Sequence, residues 1–189
     1  MIAAAYWMQR GLAMAFLALD WSRLALAVLD RLLVLRPSDL YAGVNRARVL
    51  ADLSQKNAAI KSLQQLVVDH PAHAGSWYQL AYMFESTARH AESEPAFRAA
   101  LAIAPDMDEA WYGLAMLLVR EERLDEAVAA LEHTTRLQPL SPHGWYQLGK
   151  THAKLAQSEQ ALAVIRHLRS FEPQVANRLA SEIGLSDLK

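Results

Sequence analysis

The apolar positions of the chain recur every 34 residues, and the plainest stretch runs from Ala74 to Pro139, where one unit is written twice. A small residue stands at Ala13, Ala47, Ala81, Ala115 and Gly149, and a second small set at Ala25, Ala59, Ser93, Ala127 and Ala161. A large apolar residue stands at Leu29, Leu63, Phe97, Leu131 and Ile165. Another runs Phe16, Leu50, Phe84 and Leu118, with His152 as the exception. Pro37, Pro71, Pro105, Pro139 and Pro173 close each unit. Within a unit the apolar residues recur at helical spacing, so each unit predicts two helices. The two small slots let antiparallel helices cross closely, and the large residues fill the space beside the crossing. Proline ends the second helix by removing a donor and restricting the residue before it. One hairpin cannot bury its own apolar face, so the hairpins must stack.

The predicted helices are Ala3–Leu19 and Ser22–Leu35, Leu40–Leu53 and Asn57–Asp69, Ala74–Ser86 and Ala91–Ile103, Met107–Arg120 and Asp125–Leu137, Pro142–Leu155 and Glu159–Phe171. Pro95 falls near the start of its helix, where a missing donor costs little. Asp106 and Glu109 are placed as a capping box, and Ser141 before Pro142 as an N-cap. After Pro173, the apolar stripe Ala176, Leu179, Ala180 and Ile183 predicts a capping helix over 174–184 that stops at Gly184.

At these residues the chain resembles the tetratricopeptide repeat family, whose pattern is Trp-x-x-Leu-Gly-x-x-Tyr, then Ala, a large residue and Pro. The copies are Trp77, Leu80, Ala81, Phe84, Pro105; then Trp111, Leu114, Ala115, Leu118, Pro139; then Trp145, Leu148, Gly149, Pro173. The first two units diverge, with Gln9 and Gly43 in the tryptophan slot and Arg46 in a leucine slot. The resemblance spans about residues 6–175 and implies an all-α, right-handed superhelical solenoid of antiparallel helix hairpins. Its five repeats fall at 6–39, 40–73, 74–107, 108–141 and 142–175, within a single domain. It also implies a concave groove, lined by the first helices, that holds a peptide or helix of a partner protein.

The positions that face this groove follow from the period: Tyr41, Asn45 and Arg48; Tyr78, Gln79 and Tyr82; Tyr112 and Met116; Tyr146, Gln147 and Lys150. Five of the six tyrosines fall there, and tyrosine offers a large rigid face with one polar tip. The amides Asn45, Gln79 and Gln147 suit the spare donors and acceptors of an extended peptide. The other reading is that these tyrosines cover the hairpin junctions. The family's carboxylate clamp for acidic chaperone tails is not expected, because Met14, Gly75 and Gln79 fill slots that it needs charged or amidic.

Composition narrows the rest. Cysteine is absent from the 189 residues, so no disulfide, zinc-thiolate site or cysteine nucleophile exists. The net charge is −1, with no basic stripe, which argues against nucleic acid. No cofactor or metal is expected: His70 and His73 flank a turn without a carboxylate, and His152 reads as a packing residue. No catalytic constellation can be assembled. The expectation is a non-catalytic interaction scaffold in the cytoplasm, with a periplasmic or membrane-associated setting as the alternative.

The N-terminal segment allows other readings. Gly11–Leu19 is apolar like a signal-peptide core, yet it fits the repeat register and no small-residue cleavage site follows it. Tyr6, Trp7 and Met8 make the first helix apolar on several faces, which suggests self-association into a homodimer, or a helix folded over its own end. A further alternative is a regulatory domain of a larger enzyme or envelope assembly machine.

Overall fold

The computed structural model describes residues 2–185 and contains eleven α-helices among them. The chain divides into two compact units, residues 1–103 and 104–189. The first unit holds α1 (Ile2–Ala18), α2 (Ser22–Leu35), α3 (Leu40–Asp52), α4 (Lys56–Asp69), α5 (Ala74–Glu85) and α6 (His90–Ile103). They pair as three hairpins, α1 with α2, α3 with α4 and α5 with α6. The second helix of one hairpin packs on the first of the next, α2 on α3 and α4 on α5.

The second unit holds α7 (Asp108–Arg120), α8 (Leu124–Leu137), α9 (Pro142–Lys154), α10 (Ser158–Arg169) and α11 (Pro173–Glu182). It has two hairpins, α7 with α8 and α9 with α10, and α11 closes against both α9 and α10. The expected all-α arrangement of sequential hairpins is thus present in both units.

The small slots are where the helices meet. Ala13, Ala25, Ala47, Ala59, Ala81 and Ser93 are buried in the first unit, as are Ala115, Ala127 and Ala161 in the second. Ser93 keeps the slot small, and its hydroxyl donates to the Ala81 carbonyl at 2.9 Å, so the buried oxygen is satisfied. At Gly149 an added Cβ would stand 2.6 Å from Leu179 Cδ2 and 3.2 Å from Val164 Cγ1, so glycine lets α11 come close.

A second period of 34 lies in the turns within the hairpins. Asp20, Ser54, Ala88, Glu122 and Ala156 all hold left-handed backbone, with φ of 55°, 60°, 58°, 58° and 57°. The next residue's amide reaches back to the carbonyl of the large slot residue: Trp21 to Phe16, Gln55 to Leu50, Arg89 to Phe84, Arg123 to Leu118 and Gln157 to His152, at 2.8–2.9 Å. This six-to-one bond, with the shorter bond inside it, is the Schellman closure of a helix end. His152 holds its slot by a second tie, with its Nδ1 2.7 Å from Gln157 Oε1, and it is buried as expected.

Three details differ from the sequence reading. The N-cap of α7 is Met107, so Asp106 lies outside the helix and forms no capping box. Asp108, in the first turn, instead accepts from the Gln138 side chain. Ser141 is the N-cap of α9, but its side chain makes no capping bond. Helix α10 ends at Arg169, and Pro173 sits at the start of α11 rather than merely ending a helix. Two caps went unread: Asp39 accepts from the Ala42 amide at 2.8 Å, and His73 Nδ1 from the Ser76 amide at 3.1 Å.

Candidate functional site

The first unit brings four of the predicted residues together. Arg48 lies on α3, and Tyr78, Gln79 and Tyr82 lie on α5. They line one open cavity of about 290 Å³, completed by Ala47, Ala51 and Asp52 on α3, Leu63 on α4 and Met83 on α5. The geometry follows from spacing. Residues three and four apart share a helix face, so Arg48 with Asp52 and Tyr78 with Tyr82 form two facing rows. The alanines leave room between them. Ala47 is one of the small crossing slots, and Ala51 stands where the third hairpin has Glu85. Of the cavity's lining, Ala47 and Leu63 were foreseen only as packing slots, and Ala51 and Met83 not at all; the small side chain at Ala51 was the available signal.

The site is amphipathic. Tyr82 is 53% exposed and presents its ring at the mouth. Tyr78 is half-buried and its ring centroid lies 6.2 Å from that of Phe97. Arg48 and Asp52 give the α3 wall one charge of each sign.

Tyr41 and Asn45 do not line this cavity. Asn45 Nδ2 donates to the Tyr41 carbonyl of its own helix at 2.8 Å, and its Oδ1 accepts from Arg48 at 3.3 Å. Its amide is therefore engaged locally, a common habit of asparagine. Tyr41 lies beneath Arg10, whose guanidinium carbon is 4.4 Å from the ring centroid. Burial pushes the Tyr41 hydroxyl above its ordinary range, with Arg10 and Arg48 pulling it back.

In the second unit Tyr112 and Met116 lie half-buried on α7, and Tyr146, Gln147 and Lys150 half-buried on α9. Two of these are engaged by α11. Arg178 stacks over Tyr146 at 4.5 Å, and Lys150 Nζ donates to Glu182 at 3.1 Å. Burial, followed by a hydrogen bond to Glu182, raises the Tyr146 pKa. The same bond, followed by that from Lys150, lowers that of Glu182.

The N-terminal candidates separate. Tyr6, expected on a self-association surface, is 1% exposed and belongs to the core. Its hydroxyl donates to Asp39, and Arg10 donates to that hydroxyl at 3.0 Å. The ring also carries the Arg36 guanidinium at 4.0 Å. Trp7 and Met8 do face outward, each 61% exposed.

The three repeat tryptophans do one job three times. Trp77, Trp111 and Trp145 donate their indole N–H to the carbonyls of Pro71, Pro105 and Pro139, at 2.9, 2.8 and 2.8 Å. His70 Nε2 lies 2.6 Å from the Ser38 carbonyl, and His73 caps α5. Among the described residues no three His, Asp or Glu side chains are grouped to hold a metal ion. No described helix is long and apolar enough to cross a membrane.

Stacked hairpins with a recurring proline and a tryptophan clasp define a helical-repeat protein. Two tetratricopeptide repeat profiles match, over residues 44–108 and 87–146, which together run across more than half of the chain. The chain belongs to the tetratricopeptide repeat family. A MamA fragment from Desulfovibrio magneticus RS-1 is similar at 17% identity and a TM-score of 0.76, covering 97% of each chain. YrrB, described as a TPR protein with an unusual peptide-binding site, is 20% identical at a TM-score of 0.76, covering 89% of this chain and 88% of its own. Pseudomonas aeruginosa PilF is 15% identical at 0.78, covering 98% and 87%. At these identities the likeness concerns the fold alone. No curated protein sequence matches the chain.

Proposed function

We propose that the protein is a non-catalytic interaction module that takes an extended segment of a partner protein in the α3–α5 groove. The observation that carries this reading is the cavity itself. Two rows of side chains from neighbouring first helices face each other across about 290 Å³, with an apolar floor and polar rims. That volume takes one or two side chains of a peptide rather than a large cofactor. Tyr82 and Tyr78 supply contact area at little entropic cost, and Gln79 can pair with a peptide backbone. Arg48 and Asp52 set the direction of a bound segment through their opposite charges. Tyr112, Met116, Tyr146, Gln147 and Lys150 form the corresponding face of the second unit, where α11 already engages Tyr146 and Lys150.

The test is selection from a random peptide library displayed on phage, followed by titration of the enriched peptides. Peptides that bind the wild type are expected to lose at least about tenfold in affinity to Tyr82→Ala and to Arg48→Ala, roughly the 1.4 kcal/mol of one good contact. Val68→Ala, at an exposed position outside the cavity, should leave binding unchanged. Failure to enrich any peptide, or equal binding by the groove variants, would overturn the assignment.

A further inference from the structure

The first helix leaves a face that its own unit does not cover. Trp7, Met8, Leu12, Met14 and Leu19 are exposed at or just after α1. Between them lie Ala4, Gly11, Ala15 and Ala18, also exposed. At 100° per residue these four small positions fall within about 60° of arc, with Trp7 and Met14 on one flank and Met8, Leu12 and Leu19 on the other. The face thus has a shallow floor between two apolar walls. An added Cβ on Gly11 would meet nothing within 4 Å, so the floor is open.

No charge interrupts it. Arg10 is the one charged residue of α1, and it stands at the edge of the face: its guanidinium is bound to the Tyr6 hydroxyl, lies over Tyr41 and reaches within 5.5 Å of the Trp7 ring centroid. The five large side chains, each 41–61% exposed, leave on the order of 500 Å² uncovered, an area comparable with two or three whole aromatic side chains. The largest apolar patch on a monomer is usually about 300–600 Å². A stable interface takes about 800 Å² from each partner, so this face alone supplies most of one side.

We propose that this face pairs with the same face of a second copy, α1 against α1, with the two helices crossing over Gly11. A surface with a small-residue floor and large walls is self-complementary under a two-fold axis, because each copy's walls lie beside the other's floor. The small floor lets the helix axes approach closely. A lipid surface would want several lysines or arginines beside the apolar strip, and α1 offers Arg10 alone, 5.5 Å from the Trp7 ring centroid. The proposal is independent of the α3–α5 groove, which lies on other helices of the same unit.

Sedimentation equilibrium and light scattering on the full chain test it. The expected result is a mass near twice 21.1 kDa at micromolar concentration. Gly11→Glu should return the mass to that of the monomer with an unchanged circular dichroism spectrum. Val68→Glu should leave the dimer intact. The chain has no cysteine, so Gly11→Cys gives a clean second readout. Residues on a two-fold axis meet their own copies, and oxidation should cross-link this variant readily while Val68→Cys stays monomeric on a non-reducing gel. A wild type that remains monomeric at about 100 μM, or that floats with lipid vesicles as a monomer, would overturn the proposal. So would a Gly11→Glu variant that still dimerises. Peptide binding in the α3–α5 groove should be the same for Gly11→Glu and wild type.

Discussion

Trp111 donates its indole N–H to the carbonyl of Pro105, six residues earlier, while its ring stacks on His133 at 4.1 Å and an interplanar angle of 8°. One side chain thus ties the incoming turn to α7 and packs on α8. Trp111→Phe keeps a ring but drops the donor, and should cost about 1 kcal/mol. Trp111→Ala loses both contacts and should cost about 2–3 kcal/mol, discounted from the figure for a fully buried ring. Urea denaturation followed by circular dichroism measures both.

The left-handed turn residues are not glycines, and each pays a steric penalty for its Cβ. Ala88→Gly and Ala156→Gly should each stabilise the protein by about 0.5–1 kcal/mol, the penalty removed less the greater unfolded-state entropy of glycine. Ala129→Gly, on the exposed side of α8, should cost about 1 kcal/mol. Opposite signs for the same exchange would be visible as midpoint shifts in urea.

Gly149 is set by approach rather than by backbone conformation. Alanine there would gain about 1 kcal/mol of helix propensity, but its Cβ would meet Leu179 at 2.6 Å and Val164 at 3.2 Å, both buried. Overpacking of this kind costs about 1–3 kcal/mol, so the net effect should be a loss, with α11 displaced first. Hydrogen exchange of the α11 amides should rise in Gly149→Ala more than that of α7.

Acid should release α11 as well. Glu182 is held below the ordinary glutamate range by bonds from Tyr146 and Lys150, in that order. A carboxylate depressed in the folded state contributes its stability above its unfolded pKa and loses it as pH falls through the folded one. Exchange of α11 amides, compared with other helices, should therefore increase below about pH 4.5, where an unperturbed glutamate protonates. In Glu182→Gln this dependence should be absent and the amides should exchange faster already at pH 7.

How much of this was legible in the sequence depends on the kind of signal. The proline series and the small slots are written in side-chain identity, so their period is visible, and each small slot is buried. The turn series Asp20, Ser54, Ala88, Glu122 and Ala156 has the same period and no shared chemistry. What those residues share is a dihedral angle, which no composition rule reports. Asp106 was placed as a cap because the helix was expected to begin one residue early. Tyr6 shows the limit of reading a helix as apolar all round: its hydroxyl finds Asp39, 33 residues on, and not water. The juxtaposition of Arg48 and Tyr82 across the α3–α5 cavity was legible, because both follow from the period of the first helices. The partners were not legible where a side chain turned to its own helix, as with Asn45, or where α11 supplied one, as with Tyr146 and Lys150.

The recurring left-handed turn also fixes how the chain can change in length. Removing residues 55–88 would join Ser54 to Arg89, which takes the place of Gln55 in the same closure, and every later slot would keep its register. A loss of 33 or 35 residues would shift the spliced helix pair by one residue against its partners, while later hairpins kept their own register. A change of one whole unit of 34, the distance between equivalent turns, therefore leaves every closure intact, so the reading frame that matters at a splice is a structural one laid over the genetic one.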